Sequence, residues 1–283
     1  MIKILYNPLA CNGQGEKKAS EVKEALKGEE IEFLSMLEIK DMKKFMDELP
    51  EEESVVLCGG DGTLYKFVNA IDGFKPKNKV YYFPSGTGND FAHDIADKKL
   101  DNGLYLINDY IINLPHVTVN GNTSCFLNGV GYGIDGYCCE VGDKLREKSD
   151  KPVNYAGIAI KGLLFFFKPK NVHIVADGKE YNFKKAWLAP TMNGRFYGGG
   201  MNMAPGQNRL NTAKRVSCVV LSGSGKLKTL MVFPSIFEGK HVEHKDIVTV
   251  IEGHNITVEF DKPCALQIDG ETVLDVLKYE VKS

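Results

Sequence analysis

The stretch VVLCGGDGTLYKFVNAI, residues 55–71, joins an apolar strand, a glycine-rich turn and a helix in direct succession. The strand ends at Gly59 and Gly60, and apolar residues then recur at helical spacing, at Leu64, Phe67, Val68 and Ile71. A continuously apolar strand followed by a helix is typical of a buried parallel sheet. Three glycines around Asp61 carry an entropic cost, unless the backbone needs unusual dihedral angles or a ligand lies against it.

The chain on both sides of this stretch continues the alternation of strand and helix. Short apolar runs predict further strands over 2–7, 31–37 and 79–84, besides 54–58. Amphipathic spacing predicts helices over 16–27, 40–48 and 90–97. Such alternation indicates an α/β domain, with a parallel sheet covered on both faces, over residues 1–110.

Beyond about residue 110, short strands and turn signals replace the alternation. The pair Asp177-Gly178 between two strands is a strong signal for a two-residue hairpin. We therefore predict a second domain over residues 111–283, a mostly antiparallel β-sandwich. Helical patterns near 153–167 and 226–238 predict two helical insertions in it.

Composition narrows the functional class. The chain has 283 residues and a formal net charge of −2, which argues against a dedicated nucleic-acid-binding protein. Its 7 cysteines form no C-x-x-C pair and no secretory signal precedes them, so we expect reduced thiols and a cytoplasmic location. No segment reaches the roughly 18–20 apolar residues that a membrane-spanning helix needs.

The glycine-rich turn at 59–62 is suited to phosphate binding. Glycines after a parallel strand let a phosphate approach the backbone, and the N–H groups and dipole of the helix start attract it. Thr63 offers a hydroxyl donor. A carboxylate at Asp61 repels phosphate unless a cation intervenes, which suggests Mg²⁺. The alternative is a tight turn in which Asp61 only caps a helix, and this stretch alone does not decide between them.

A second loop, PSGTGND at 84–90, repeats the pattern after the next strand. Its glycines allow close approach, and Ser85 and Thr87 offer hydroxyl donors. Asn89 or Asp90 can cap the following helix. Two such loops on neighbouring strands are expected to face one crevice.

Five motifs together resemble the diacylglycerol kinase catalytic-domain family, which includes sphingosine and ceramide kinases and soluble bacterial lipid kinases. They are NP…NGQGEKK near the start, GGDGTLYKFVNAI (59–71), PSGTGNDFA (84–92), GGGMNMAP (198–205) and QIDGE (267–271). The resemblance covers essentially the whole chain. It implies a nucleotide-binding α/β domain, a C-terminal β-sandwich, and a cleft that holds ATP, Mg²⁺ and a lipid alcohol such as diacylglycerol.

The resemblance also assigns roles to particular residues. The implied nucleotide-binding residues are Asn7, Gly60, Asp61, Gly62, Thr63, Gly86, Thr87 and Asn89. The implied catalytic residues are Asp61, Asp90 and Glu271, with Asp61 also holding Mg²⁺ through the nucleotide phosphates. Glu271 is implied to take the proton of the acceptor hydroxyl, because an alcohol is too weak an acid to ionise in advance. Asp269 is expected only to shape the turn.

Two departures from the family pattern keep other functions open. An acid that commonly enters the β domain corresponds to Asn113, and the stretch 206–213 contains no acid. A structural Mg²⁺ site of the family type is therefore in doubt. The alternatives are an NAD kinase-like phosphotransferase, which also carries GGDGT, and a nucleotide- or lipid-binding module with impaired catalysis.

A lipid kinase must also reach a bilayer. The segment 153–167 is apolar nearly all round, and basic residues flank it at Lys144, Arg146, Lys148, Lys151, Lys168 and Lys170. It is either a packed helix or a lipid-exposed one, and Phe165, Phe166 and Phe167 are the candidates for exposure. We expect a lipid substrate, transient contact with a membrane surface and no nucleic-acid partner; whether the chain forms an oligomer stays open.

Overall fold

The computed structural model describes residues 1–148 and 153–283. The chain divides into two compact units, Met1–Leu114 and Pro115–Ser283, where the sequence predicted a boundary after residue 110. Lys151, one of the predicted basic flanks, lies outside the described residues.

The N-terminal unit is built on a five-stranded sheet in the order β2-β1-β3-β4-β5. Its strands are β1 (Ile2–Tyr6), β2 (Ile31–Ser35), β3 (Ser54–Gly59), β4 (Lys79–Pro84) and β5 (Tyr105–Leu106). The first four are parallel, as predicted, and β5 adds a short antiparallel edge to β4. The central β3 is buried along nearly its whole length, which explains its continuous apolar sequence.

The helices of this unit are short. They are α1 (Ala10–Gly13), α2 (Gly15–Ala19), α3 (Val22–Ala25), α4 (Met42–Glu48), α5 (Asp61–Ala70) and α6 (Asp90–Asp94), with 3₁₀ turns at Ala96–Lys98 and Asn108–Tyr110. The single helix predicted over 16–27 is wrong, because α2 and α3 are separate. Between them the Ser20 hydroxyl donates to the Lys17 carbonyl at 2.6 Å, a local bond that competes with the helical pattern.

The C-terminal unit is an antiparallel β-sheet domain, as predicted. Its strands are β6 (His116–Val119), β7 (Asn122–Cys125), β8 (Gly129–Tyr132), β9 (Lys170–Ala176), β10 (Lys179–Ala186), β11 (Thr191–Met192), β12 (Phe196–Tyr197), β13 (Met201–Asn202), β14 (Val216–Leu221), β15 (Val248–Gly253), β16 (Asn255–Ile268) and β17 (Glu271–Lys282). The sheet branches at β16, whose first part pairs with β9 and whose last part pairs with β8. At this branch the buried Tyr132 stacks on the buried Phe260 at 4.1 Å between ring centroids.

Helical segments cover one region of this unit. They are α7 (Ile134–Arg146), α8 (Tyr155–Lys161), α9 (Lys226–Val232), a π-helical turn at Gly162–Phe166, and 3₁₀ turns at Phe233–Ile236 and Lys240–Glu243. They pack on a core cluster that includes Leu163, Trp187 and Phe233. No helix in 1–148 or 153–283 is long and apolar enough to cross a bilayer.

Candidate active site

Three parallel strands of the N-terminal unit end at the same edge of the sheet. In the strand register Tyr6 of β1 pairs with Cys58 of β3, and Cys58 pairs with Phe83 of β4. The loops that follow these strands begin with the three motifs that the sequence singled out. The edge therefore gathers the residues predicted to bind nucleotide, as expected for the carboxyl ends of parallel strands.

The two glycine loops after β3 and β4 touch each other. A Cβ atom built on Gly86 would lie 2.4 Å from the Cα atom of Gly60, closer than any side chain tolerates. The amide of Ser85 donates to the Gly59 carbonyl at 2.9 Å and ties the loops together. Glycine is thus required at Gly86 by the neighbouring backbone, and the predicted proximity of the loops is what the structure shows.

Tyr82 of β4 stabilises the contact between the two glycine loops. Its hydroxyl is buried and donates to the same Gly59 carbonyl at 3.0 Å. Burial raises the pKa of this phenol well above its ordinary value, and the Asp61 carboxylate contributes further, so the group remains a neutral donor. The loop after β3 is therefore held by bonds from both Ser85 and Tyr82.

Asp61 caps a helix, but this helix is α6 and not α5, which Asp61 itself begins. Its Oδ2 accepts the amide of Asp90 at 3.0 Å and its Oδ1 accepts the amide of Phe91 at 2.9 Å. The carboxylate of the first loop thus caps α6, the helix that starts in the second. Asn89 stands at the N-cap position of α6, as predicted, but its side chain makes no capping bond, because Asp61 satisfies the amides at this helix start.

The side chain of Asn89 folds onto its own loop instead. Its Oδ1 accepts the amide of Gly86 at 3.1 Å, and its Nδ2 donates to the Gly86 carbonyl at 2.8 Å. Asn89 has a φ of 53°, in the left-handed region that asparagine tolerates better than most residues. Both groups of its side-chain amide bond to Gly86 and so hold the shape of the loop.

The other predicted residues of this edge differ in exposure. Thr63 and Asp90 are buried, whereas Thr87 is exposed at the tip of its loop. Thr63 packs beneath Gly59, where an added Cβ would lie 2.2 Å from the threonine Oγ1. Asn7 is also buried, and its Oδ1 accepts the amide of Leu9 at 3.1 Å. Two of the predicted ligands, Thr63 and Asn7, thus shape loops, while Thr87 is accessible.

The start of α5 retains the properties of an anion site. The amides of Thr63 and Leu64 bond to the Gly60 carbonyl at 3.0 and 3.2 Å. Gly62 precedes them in the first turn, where an amide has no acceptor within its own helix. Together with the helix dipole and the absence of side chains at Gly60 and Gly86, this geometry suits a phosphate group.

In the C-terminal unit, Asp269 and Gly270 form the two-residue turn between β16 and β17. Their φ angles are 46° and 96°, as a type I′ hairpin turn requires. The Gly270 amide donates to the Gln267 Oε1 at 2.6 Å. Glu271 follows directly, as the first residue of β17.

Asp269 does more than shape this turn, contrary to the prediction. Its buried carboxylate accepts three consecutive amides, those of Leu127, Asn128 and Gly129, at 2.5, 2.8 and 3.0 Å. It therefore fixes the loop before β8 to the hairpin that carries Glu271. Such charge-assisted bonds to backbone amides are among the stronger hydrogen bonds in proteins.

Two further residues hold the loop at 127–129, and the sequence analysis missed both. Arg209 donates to the Leu127 carbonyl and to the Asn128 Oδ1, each at 3.0 Å. Asn193 donates to the Leu127 carbonyl at 2.9 Å. Arg209 lies in the acid-free stretch 206–213, so its charge has no acidic neighbour there. This was a sequence signal that its guanidinium bonds to a distant segment.

Glu271 itself is exposed, and none of the hydrogen bonds or ion pairs among residues 1–148 and 153–283 involves its side chain. Its carboxylate is thus able to accept a proton without first breaking a bond within the protein. A general base needs this combination of a fixed backbone and an accessible carboxylate.

Asp135 is a buried acid that the sequence analysis also missed. It lies in the first turn of α7, and its Oδ2 has no hydrogen-bond partner in the described part of the chain. Burial raises the pKa of this carboxyl to about 7, although the nearby Tyr197 hydroxyl acts in the opposite direction. The position of an acid just after the buried strand β8 was the signal that could have identified it.

The residues that put a family-type structural metal site in doubt lie in turns. Across residues 1–148 and 153–283 no group of three or more His, Cys, Asp or Glu side chains could hold a metal ion. Asn208 and Asn211 bond to nearby backbone, with the Asn211 Oδ1 accepting the Arg215 amide at 2.9 Å. Asn113 is exposed and has a φ of 52°. These asparagines therefore stabilise turns.

A groove of about 700 Å³ in the C-terminal unit contains none of the predicted site residues. Its walls combine basic, acidic and aromatic residues, among them Lys168, Lys262, Asp261, Asp275 and Phe166. The mixed charge favours no single class of ligand.

Comparison with known families agrees with this geometry. Residues 1–111 match the family described as the diacylglycerol kinase catalytic domain, and residues 128–278 match the YegS C-terminal NAD kinase beta sandwich-like domain. The chain belongs to the diacylglycerol kinase catalytic-domain family. The two matches fall on the two structural units, so the resemblance seen in the motifs is confirmed.

Individual relatives of the family cover nearly the whole chain. The protein named diacylglycerol kinase of Mycobacterium tuberculosis H37Rv is 24% identical over 290 residues, covering 96% of this chain and 92% of the relative. A Bacillus anthracis Sterne structure, provisionally named a diacylglycerol kinase, has a TM-score of 0.69 and 19% identity, covering 99% of this chain and 91% of that one. The relatives support a lipid kinase family with a kinase-type phosphotransferase activity, and the structure shows the shared fold.

Proposed function

We propose that this family member transfers the γ-phosphoryl group of ATP to the hydroxyl of a lipid such as diacylglycerol, in a Mg²⁺-dependent reaction. The observation that carries the proposal is the contact between Gly60 and Gly86, which joins two glycine loops at the start of two helices. Two adjoining anion-binding loops suit a polyphosphate better than a single phosphate group.

The fit of a metal can be judged from the carboxylates at this edge. Asp61 and the buried Asp90 are neighbours, because the Asp90 amide bonds to the Asp61 carboxylate at 3.0 Å. Mg²⁺ in kinases is held by one or two carboxylates together with phosphate oxygens, so the Asp61 carboxylate beside the glycine loops fits and is the proposed ligand. When bound, the ion offsets the negative charge of the transferring group.

The residues of the chain supply binding and proton transfer. The backbone at Gly60, Gly62 and Gly86 binds the phosphates, and Thr87 offers a hydroxyl at the exposed loop tip. The acceptor hydroxyl oxygen forms a bond to the γ-phosphorus, while the bond from that phosphorus to the bridging oxygen of ADP breaks. Glu271 takes the proton that the hydroxyl releases.

The test incubates the pure protein with γ-labelled ATP, Mg²⁺, NAD and mixed micelles that contain diacylglycerol, ceramide or sphingosine. We expect label in the lipid phase, and in the diacylglycerol micelles above all. Label in NADP instead would support the NAD kinase-like alternative and overturn the proposal.

A matched pair of variants makes this test specific. Glu271→Gln should lose the lipid label, whereas Glu252→Gln, which alters an exposed glutamate away from the turn, should keep it. Binding of ATP without any transfer, in the unmodified protein, would support an impaired binding module.

A further inference from the structure

Five apolar side chains stand exposed on two neighbouring segments of the C-terminal unit. We name them the docking surface: Ile160, Phe165, Phe166, Leu227 and Met231. Four of them are 65–74% exposed, with Phe166 at 65% and Leu227 at 74%. Single exposed apolar residues are ordinary, but a group of them marks an interaction site.

The two segments that carry the docking surface lie side by side. Lys226, the first residue of α9, donates through its Nζ to the Leu164 carbonyl in the π-helical turn at 2.7 Å. Leu163 and Phe167 from one segment and Val232 and Phe233 from the other are buried in the same core cluster. The inner faces of both segments are thus anchored together.

The exposed apolar side chains lie on segments whose other faces are well packed. Leu227 and Met231 are four residues apart on α9, so they share one face, while Thr229 and Val232 on another face are buried. In the π-helical turn Phe165 and Phe166 are exposed, whereas Phe167 is buried, which corrects the prediction that all three phenylalanines are exposed. Both segments therefore present a distinct apolar outer face above a packed inner one.

The two segments that carry the docking surface bear charges of a single sign, although the groove beside Phe166 also contains Asp261 and Asp275. Residues 153–176 and 222–237 contain five lysines, at Lys161, Lys168, Lys170, Lys226 and Lys228, and no Asp or Glu. Lys161 and Lys168 are exposed, and neither has an ion-pair partner within 1–148 and 153–283. Lys228 pairs with Asp246, which lies outside both segments.

We propose that the docking surface binds an anionic lipid bilayer, with its apolar side chains inserted among the acyl chains and its lysines at the headgroups. The proposal rests on the proposed function, since a lipid acceptor lies in a bilayer. Apolar side chains with a basic rim are the pattern of peripheral membrane binding. A second copy of the chain is a poorer occupant, because two docking surfaces face to face would bring their lysines together.

The test measures sedimentation with vesicles, in the absence of ATP and of any acceptor lipid. We expect the protein to bind vesicles of phosphatidylcholine with phosphatidylglycerol more tightly than vesicles of phosphatidylcholine alone. Replacing four exposed residues (Phe165→Ser, Phe166→Ser, Leu227→Ser and Met231→Ser) should weaken binding about tenfold or more. Replacing only the pair on α9 should give an intermediate loss, because both segments contribute.

Controls separate docking from general effects on the surface. Leu37→Ser with Leu100→Ser removes exposed apolar side chains from the N-terminal unit and should leave vesicle binding unchanged. Lys161→Glu with Lys168→Glu should abolish the preference for anionic vesicles, whereas Lys27→Glu with Lys43→Glu should preserve it. Because all the changed side chains are exposed, circular dichroism and the melting temperature should stay as in the unmodified protein.

The outcomes distinguish docking from catalysis. A water-soluble short-chain diacylglycerol should be phosphorylated equally by the four-serine variant and the unmodified protein. If vesicle binding is intact but neither the short-chain nor the micellar diacylglycerol is phosphorylated, the proposed function is rejected and the docking proposal is not. Equal vesicle binding by the four-serine variant, or a dimer that this variant converts to monomers, would overturn the docking proposal.

Discussion

The turn at Gly60-Asp61-Gly62 and the turn at Asp269-Gly270-Glu271 both place an aspartate beside glycine after a buried strand. In each the carboxylate accepts backbone amides from a loop far away in sequence. Asp61 accepts two, at Asp90 and Phe91, and Asp269 accepts three, over 127–129.

The two turns differ in which carboxylate is free of bonds within the protein and so available for a reaction. In the first, the aspartate is half-buried and both of its oxygens already accept amides, so its proposed metal role is added to a structural one. In the second, the buried aspartate is structural, and the neighbouring Glu271 is exposed and unbonded in the described part of the chain. The first turn thus combines structural bonds and a proposed metal role on one residue, whereas the second divides structural bonds and the proposed base between two residues.

The largest expected effect is that of Glu271→Gln, which tests whether Glu271 is the base while Asp269 is structural. Loss of a general base lowers turnover by about 10²–10⁴-fold, and we expect a loss in that range. The free energy of unfolding should stay within about 0.5 kcal/mol of the original value, because the side chain is exposed. Steady-state kinetics with lipid micelles and urea unfolding measure the two quantities. A turnover within threefold of the original would show that Glu271 is not the base.

The structural half of the comparison is tested by Asp269→Asn against Asp61→Asn. Asp269→Asn should lower the free energy of unfolding by about 3 kcal/mol, because a buried carboxylate that binds three amides loses its charge. Asp61→Asn should lower it by about 1 kcal/mol, as for loss of a helix cap.

Urea unfolding at neutral pH measures both changes, with Asp109→Asn at an exposed site as the control. An equal effect of the two substitutions would contradict the distinction between the two turns.

Asp135 sharpens the contrast, because its buried Oδ2 accepts no bond in the described residues. Its folded-state pKa of about 7 lies above the ordinary value of 3.8, so the folded protein holds this proton more tightly than the unfolded chain. The group therefore destabilises the fold increasingly as the pH rises from about 4 to 7.

Asp135→Asn should remove this dependence, so its stabilising effect should be larger at pH 8 than at pH 5 by about 3 kcal/mol, at about 1.4 kcal/mol per pH unit from pH 5 to the pKa of about 7. Urea unfolding at both pH values, with Asp109→Asn as the control, measures the change. The same pH dependence in the variant would show that Asp135 is not the titrating group.

The smallest expected effect concerns the contact between the loops. Gly86→Ala places a Cβ 2.4 Å from the Gly60 Cα atom and should lower the free energy of unfolding by about 1–2 kcal/mol. ATP affinity, measured by calorimetry, should fall about tenfold, because the loops must separate. Gly206→Ala, which has open space around its Cβ, is the control and should change neither quantity. Unaltered ATP affinity in Gly86→Ala would show that the loops do not bind the nucleotide together.

Much of the N-terminal fold could be predicted from local sequence. The strand at 54–59 and the helix from Asp61 follow from apolar spacing and glycine placement, both of which act over a few residues. The break between α2 and α3 could not, because one Ser20 hydroxyl bond decided it against a continuous apolar face.

The sequence predicted which residues lie together at the candidate site better than it predicted which bonds each of them makes. The sequence placed the residues of both loops at one edge, but it gave the cap of α6 to Asn89 or Asp90. The bond from Asp61 to α6 spans about 30 positions, and no local pattern encodes it. For the same reason Arg209 and Asn193 passed unnoticed, since their partners lie over 60 residues away.

By itself, the sequence determined the two domain classes, the two glycine loops and the family motifs, because each depends on periodicity or on residues next to each other in the chain. Only the tertiary structure decided which carboxylate caps which loop, which phenylalanines are exposed, and that α9 completes the docking surface. These depend on contacts between distant segments, whose free energy is set by packing and burial, quantities that local residue order does not contain.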